Sequence, residues 1–135
     1  TWDDVFRAVR PDVVVHLAAE TGTGQSLSEA ARHTHVNVTG AGALLDGLTR
    51  HGLRPAHLVL ASSRAVYGEG VWRDPADGQA FAAQPRPHAQ LAAGAFPILA
   101  PSGRRAEPIA QSAARTPASP SSVYGATKLA QEHVM

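Results

Sequence analysis

Apolar residues follow a helical spacing in the first ten positions and then form uninterrupted runs. The residues that recur every three or four positions are Trp2, Val5, Phe6 and Val9. They predict a helix with Asp3 and Asp4 in its first turn, and Pro11 ends it. The runs DVVVHLAA and AHLVLASS have no polar alternation, which is typical of parallel strands buried on both faces. We place the two parallel strands near Asp12–Leu17 and His57–Ser62.

Helices are predicted between and after these two strands. One covers roughly Leu27 to His51, where a break near His33 is an open alternative because RHTHVNVTG forms helices poorly. The last helix begins at about Val123. Helices that alternate with buried strands predict an α/β fold with a parallel sheet.

Residues 68–122 do not follow this alternation. Eight of the ten prolines fall here, and no clear period runs through the segment. The pattern predicts a long Pro/Ala-rich insertion of mostly irregular backbone, with one short helix near Ala89 to Ala93. Structureless loops of this length are uncommon in compact domains, so we expect a small subdomain, a lid or partial disorder.

Composition excludes several classes of function. The 135 residues suit one domain, and a net charge of +1 gives no electrostatic footprint for nucleic acid or an anionic membrane. The absence of cysteine excludes disulfides and thiolate metal sites, and it fits the reducing cytoplasm. The apolar runs are too short to span a bilayer. The seven histidines lack metal-ligand spacing, so no metal site is predicted.

Candidate chemistry collects where the predicted strands end and the last helix begins. Ser62 and Ser63 supply hydroxyl groups after the second strand, and Tyr124 and Lys128 lie four residues apart in the last helix. A free phenol has a pKa of about 10 and is ionised only about one part in a thousand near pH 7. A cation one helical turn away favours the phenolate. The alternative is an exposed tyrosine beside a solvated lysine.

Four motifs in this order resemble those of a known family. The motifs VVVHLAA, NVTGA, LASSRAVYGEG and YGATK cover the chain except for the insertion. Together they resemble extended short-chain dehydrogenase/reductases of the nucleotide-sugar epimerase/dehydratase family. The resemblance implies a partial Rossmann-like parallel sheet with flanking helices, NAD as cofactor with NADP as the alternative, and a nucleotide-sugar substrate. It also implies a homodimer that forms through the long helices, including the one that bears Tyr124.

The resemblance also implies roles for individual residues. The catalytic group would be Ser63, Tyr124 and Lys128. The cofactor would be bound by Leu17, Ala18, Ala19, Asn37, Ser62, Tyr124 and Lys128. The sugar would be contacted by Gln25, Ser26, Ser63 and Tyr124, where a simple helix cap is the alternative for Gln25 and Ser26. Tyr67 is expected to pack rather than to catalyse, and polarity at a helix bend is the alternative for Asn37.

Two features depart from the family pattern. The glycine-rich dinucleotide fingerprint does not precede the first strand. The resemblance therefore implies that residues 1–135 are the central part of an NAD(P)-binding Rossmann-like domain, with an insertion at about 71–121, and that the fragment alone is inactive. In the dTDP-L-rhamnose 4-epimerase-like members, this insertion often carries Cys pairs that look like a zinc knuckle. Here RDPADG and APSGR occupy comparable places without cysteine, so we expect packing alone to hold the insertion, or a loose segment.

The type of reaction follows from one local difference. Sugar 4,6-dehydratases of the family carry Asp-Glu directly after the hydroxyl residue, whereas this chain has Arg64 and Ala65. This favours 4-epimerisation, in which a hydride leaves the sugar and returns through a 4-keto intermediate. A nucleoside-diphosphate 4-ketosugar reductase or a dehydratase is the alternative. A non-catalytic fragment or interaction module is a hypothesis of a different class.

Overall fold

The computed structural model describes residues 1–135 and alternates helix with strand through most of the chain. The elements in chain order are α1 (Trp2–Ala8), β1 (Val13–His16), a 3-10 turn (Gln25–Leu27), α2 (Ala30–Thr34), a π-helical turn (His35–Thr39), α3 (Gly40–Arg50), β2 (His57–Leu60), a 3-10 turn (Arg64–Tyr67), β3 (Val71–Arg73), β4 (Ala80–Ala82), α4 (His88–Ala92), β5 (Glu107–Pro108) and α5 (Val123–Val134). No helix among them has both the length and the apolar character needed to cross a membrane. The chain divides into a first unit, residues 1–66 with 122–135, and a second unit, residues 67–121.

The first unit is built on two parallel strands. β1 pairs with β2 so that Val13 lies opposite His57 and His16 lies opposite Leu60. The predicted parallel pairing is confirmed, although each strand is shorter than expected. The predicted first and last helices are also confirmed as α1 and α5.

One face of this sheet packs against helices α1 and α3. The buried members of the core are Phe6, Leu44, Leu48 and Leu53. Val14 and Leu58 extend from the two strands into this cluster. Gly47 allows the close approach of α1, because a Cβ atom there would lie 3.0 Å from the side chains of Phe6 and Trp2. The core therefore fixes α1 and α3 on one side of the strands.

The expectation that both strand faces are buried is wrong. Val13, Val15 and Val59 alternate with the core-facing residues and are 49%, 56% and 50% exposed. Successive side chains of a strand point to opposite faces, so these valines share the uncovered face. The apolar run indicated a strand correctly but did not show which elements cover it.

The predicted helix over roughly Leu27 to His51 is continuous from Ala30 to Arg50, and the alternative of a break near His33 is wrong. The backbone stays helical from α2 through the π-helical turn into α3, with helical dihedral angles at Thr34 and Gly40. The poor helix formers of this stretch produce a locally wider helix instead of an end. Such π-helical turns are rare and frequently occur at functional sites.

The second unit contains an antiparallel sheet of three short strands in the order β4-β3-β5. A small cluster of Ile98, Ala100 and Ala106 packs against Trp72, Phe81 and Ala83. The expectation of mostly irregular backbone missed this sheet, because strands of two or three residues leave no detectable period. The predicted short helix is present as α4.

A buried carboxylate joins the two cysteine-free turns of the second unit. Asp74 of RDPADG is only 4% exposed and accepts hydrogen bonds from the backbone N–H and the hydroxyl of Ser102 in APSGR, at 2.9 and 2.6 Å. It also accepts one from the N–H of Ala76 at 2.9 Å. The expectation that packing alone holds this segment is therefore wrong, since hydrogen bonds to one side chain link its turns.

We expect Asp74→Ala to loosen these turns. The replacement leaves the N–H groups of Ser102 and Ala76 without their acceptor, and amide hydrogen exchange at both should accelerate about tenfold or more. Hydrogen bonds from Ser102 and Ala76 lower the pKa of Asp74. Its contribution to stability is therefore present above about pH 4 and is lost as the pH falls through the lowered value. Asp77→Ala is the matched control, because exposed Asp77 bonds only the nearby N–H of Gln79; equal exchange in both variants would contradict the prediction.

Candidate active site

The candidate active site lies in the first unit, where the carboxyl ends of β1 and β2 reach the same edge of the sheet. The parallel register places the segments that follow His16 and Leu60 side by side. Open α/β sheets bind their ligands at this edge. Helix α5 contacts the segment that follows β2, where the hydroxyl of Ser62 donates a hydrogen bond to the carboxylate of Glu132. The residues singled out from the sequence therefore come from elements that meet at one edge.

Asn37 lies in the π-helical turn and connects the loop after β1 to α5. Its side chain is fully buried. The amide oxygen accepts the N–H of Glu20 at 2.7 Å, and the amide nitrogen donates to the carbonyl of Glu20 at 3.0 Å. The same nitrogen donates to Thr127 Oγ1 of α5 at 2.9 Å. Asn37 thus fixes the loop against the helix, and its proximity to a cofactor stays a prediction.

Tyr124 lies in the first turn of α5, where the helix start is fixed locally. The hydroxyl of Ser122 accepts the N–H of Gly125 at 3.0 Å and caps the helix. The partly buried ring of Tyr124 meets the ring of His33 edge to face, with centroids 6.4 Å apart. His33 is fully buried. The cap and this contact hold the phenol at the beginning of the helix.

Lys128 lies one turn further along α5 and is only 3% exposed. Its ammonium donates a hydrogen bond to Oε1 of Gln131. Burial lowers the pKa of Lys128, and the nearby carboxylate of Glu132 acts in the opposite direction. The alternative of a solvated surface lysine is therefore wrong. Tyr124 and Lys128 thus lie one helical turn apart in α5, as their spacing predicts.

The two serines after β2 differ in their surroundings. Ser62 is exposed and bonds Glu132 of α5. Ser63 is partly buried, and its hydroxyl oxygen accepts the N–H of Ala65 at 3.1 Å, at the start of a 3-10 turn. The hydroxyl of Ser63 is positioned by its own loop, and its catalytic role stays a prediction.

The loop after β1 presents small and exposed side chains. Leu17 is 70% exposed, Ala18 is exposed and Ala19 is partly buried. Gln25 is exposed, whereas Ser26 is fully buried and its hydroxyl donates to the carbonyl of Thr23 at 2.8 Å. Ser26 thus supports the loop from within. The predicted cofactor and sugar contacts of these residues remain predictions.

Three buried polar residues near the site were not found from the sequence: His16, Thr127 and Gln131. Thr127 links Asn37 to Tyr124, since its hydroxyl donates to the carbonyl of Tyr124 at 2.8 Å. Positions 124, 127, 128 and 131 recur at helical spacing, and this polar stripe on one helical face was the available signal. The contact between Gln131 and His16 joins residues 115 positions apart and had no local signal.

Comparison with known proteins gives the family context. The family model for the NAD dependent epimerase/dehydratase family matches residues 1–135. The chain is 49% identical to a dTDP-L-rhamnose 4-epimerase of Burkholderia thailandensis over 99% of its own length and 35% of that enzyme's length. It is 44% identical to a dTDP-glucose 4,6-dehydratase of Streptomyces griseus over 47% of this chain and 20% of that enzyme. The chain thus spans about a third or less of these relatives.

A solved structure shows the same fold. The UDP-glucose 4-epimerase of Bifidobacterium longum, in complex with NAD+ and UDP, superposes with a TM-score of 0.61 at 20% identity. The match covers 98% of this chain and 28% of that one. The predicted α/β fold with a Rossmann-like parallel sheet is therefore confirmed.

Proposed function

Because the chain belongs to the NAD dependent epimerase/dehydratase family, we propose that residues 1–135 form the central part of a longer NAD-dependent nucleotide-sugar 4-epimerase. In this assignment, residues 71–121 are an insertion in the NAD-binding domain. The observation that carries the proposal is the buried Lys128 one helical turn from Tyr124, beside the carboxyl ends of two parallel strands. The 49% identity to a dTDP-L-rhamnose 4-epimerase supports the same reaction and a dTDP-sugar substrate.

The residues present fit a nicotinamide cofactor. Leu17 and Ala18 leave an exposed surface of small and apolar groups at the strand edge, where a flat ring can contact the backbone. Lys128 places a cation nearby, which suits the hydroxyl groups of a ribose. When bound, NAD would supply the redox chemistry of the hydride transfer. The remaining steps belong to side chains of this chain.

Tyr124 moves the proton in this proposal. Its phenolate removes the proton from the sugar 4-hydroxyl while the hydride leaves C4, and a 4-keto sugar results. When a hydride returns to the opposite face of C4, the phenol gives its proton back to the oxygen. Lys128 stabilises the phenolate, and the hydroxyl of Ser63 donates a hydrogen bond to the sugar oxygen.

Local chemistry favours epimerisation over dehydration. The residues after Ser63 are Arg64 and Ala65, and they form a 3-10 turn without a carboxylate. Elimination of water needs an acid that protonates the leaving hydroxyl and a base that removes a proton. Epimerisation needs only the one acid/base group that Tyr124 provides.

We propose from the family resemblance that the longer enzyme is a cytoplasmic homodimer whose interface includes α5. Size-exclusion chromatography with light scattering on the full-length protein measures the mass directly. A monomer at micromolar concentration would contradict this part of the proposal.

The reaction is tested with the full-length protein, NAD and dTDP-L-rhamnose that carries deuterium at C4. We expect conversion to the C4 epimer with the deuterium retained, because the same hydride leaves and returns. Proton NMR of the product measures both outcomes. In a parallel assay with dTDP-glucose, which carries the 6-hydroxyl that rhamnose lacks, loss of water from the sugar would indicate a dehydratase. Net consumption of a reduced cofactor with a 4-keto sugar would indicate a reductase. No reaction with any nucleotide sugar would contradict the proposed function.

A further inference from the structure

Lys128 of the candidate catalytic pair belongs to a hydrogen-bonded network of three buried side chains, which also includes Gln131 and His16. Gln131 is fully buried, Lys128 is 3% exposed and His16 is 7% exposed. Lys128 Nζ donates to Gln131 Oε1, and Gln131 Nε2 lies 3.3 Å from His16 Nε2. These hydrogen bonds thus link α5 to the end of β1. Gln131 and His16 have no part in the proposed reaction.

The chemistry of the three groups fixes the proton on His16. An ammonium group can only donate hydrogen bonds, so the oxygen of the Gln131 amide must face Lys128. The NH₂ group of Gln131 then faces His16, and this group can only donate. His16 Nε2 must therefore accept, which places the ring proton on Nδ1 and leaves the imidazole neutral.

We propose that Gln131, oriented by neutral His16, is a positioning residue that holds the ammonium of Lys128 in its buried place, one helical turn from Tyr124 along α5. The two bonds of the Gln131 amide depend on each other, because the amide can present its oxygen to only one neighbour. Protonation of His16 makes Nε2 a donor, so the amide would have to turn its oxygen away from Lys128. A protonated His16 and the Lys128–Gln131 bond therefore exclude one another. The consequence for catalysis rests on the proposed function, whereas the coupling itself does not.

The electrostatic surroundings of His16 also favour its neutral form. Burial first and the charge of Lys128 second lower the pKa of His16, so its neutral form is favoured in the folded protein. Along α5, the charged groups near the chain are Lys128 itself and Glu132, whose carboxylate raises the pKa of Lys128 against the larger effect of burial. On β2, His16 pairs with Leu60, which does not titrate. A fall in pH through the lowered pKa of His16 should therefore break the bond between Gln131 and Lys128.

The first test is the pH profile of kcat in the full-length enzyme with Gln131→Met. Methionine has a similar length, and its thioether is only a weak hydrogen-bond acceptor in place of the amide oxygen. We expect kcat near pH 7 to fall about tenfold or more, with KM nearly unchanged and the acid limb of the profile moved to higher pH. A residue that only fills space would lower activity equally at every pH. An unshifted profile overturns the proposal.

A second variant and a control separate positioning from folding. His16→Phe retains a ring but removes the acceptor, so it should move the profile in the same direction by a smaller amount. The double variant should be no worse than Gln131→Met alone, because both changes act through one hydrogen-bonded chain. His88→Phe alters an exposed histidine of α4 and should leave the profile unchanged. Additive losses in the double variant would contradict the proposal.

A measurement without catalysis tests the coupling directly. Lys128 is the only lysine of the 135 residues, so lysine labelled with ¹³C at Cε gives one NMR resonance. In the unaltered chain, this resonance should show an acid step at the pH where the ring protons of His16 titrate. The step should vanish in His16→Phe and in Gln131→Met, and it should remain in Glu132→Gln. An acid step that persists in His16→Phe overturns the inference, whereas an inactive full-length protein with the step intact overturns only the proposed function.

Discussion

Replacement of Tyr124 by phenylalanine in the full-length enzyme is expected to lower kcat about a hundredfold or more, with NAD binding nearly unchanged. Phenylalanine keeps the ring that packs edge to face on His33 and removes only the hydroxyl. The helix cap at Ser122 is independent of that hydroxyl, so the fold should be retained. Steady-state kinetics with a dTDP-sugar and a separate NAD titration measure the two quantities.

The second tyrosine of the chain provides the matched control. Tyr67 is the last residue of the 3-10 turn Arg64–Tyr67 and is expected to pack, and Tyr67→Phe removes the same hydroxyl from a side chain that has no part in the proposed reaction. Its kcat should stay within about twofold of the unaltered enzyme, the range of a surface change. Unchanged turnover in Tyr124→Phe would remove Tyr124 from the mechanism. Equal losses in both variants would show that the effect is not specific to the site.

Isolated residues 1–135 are expected to bind NAD at millimolar concentration or more weakly. The pyrophosphate of a dinucleotide is bound by the N–H groups of a glycine-rich turn and the start of the next helix, and these residues hold no such motif before β1. Each charge-assisted hydrogen bond contributes about 1.5–3 kcal/mol. The loss of several such bonds weakens micromolar binding to millimolar, and nucleotide-sugar epimerisation should be absent.

Calorimetric titration of the isolated residues with NAD checks this expectation, and the full-length protein is the positive control. A dissociation constant in the low micromolar range would show that residues 1–135 form a self-sufficient site. Such a result would contradict the proposed division of cofactor contacts between this part and the rest of the enzyme. It would not affect the assignment of Tyr124.

Helix α5 could be predicted because its signals are local. Ser122 before Val123 is a helix cap in sequence and in structure, and Tyr124 and Lys128 share a helical face by spacing alone. The parallel pairing of the strands also followed from composition. The burial of each strand face could not be predicted from composition. A valine such as Val15 contributes equally to an apolar run whether other elements cover its face or leave it exposed.

The rest depended on contacts between distant residues. Asp74 and Ser102 lie 28 positions apart, and Gln131 and His16 lie 115 apart, so neither pair leaves a periodic signal. The strands of the second unit have two or three residues each, which is too short for alternation to be recognised. Lys128 was identified because it belongs to the family motif YGATK. Its partner Gln131 lies outside the quoted motifs, and its only signal is its position on the same helical face.

The π-helical turn makes the number of residues between His35 and Thr39 as important as their identity. Each residue of a helix turns the chain by about 100°. Before and within this turn, His33 and Asn37 face α5, and beyond it Leu44 and Leu48 face the core with α1. Loss of one residue here would rotate one set of side chains relative to the other by that angle. Deletions of a single codon in this stretch should therefore be tolerated far less well than substitutions at its exposed positions, such as Val36.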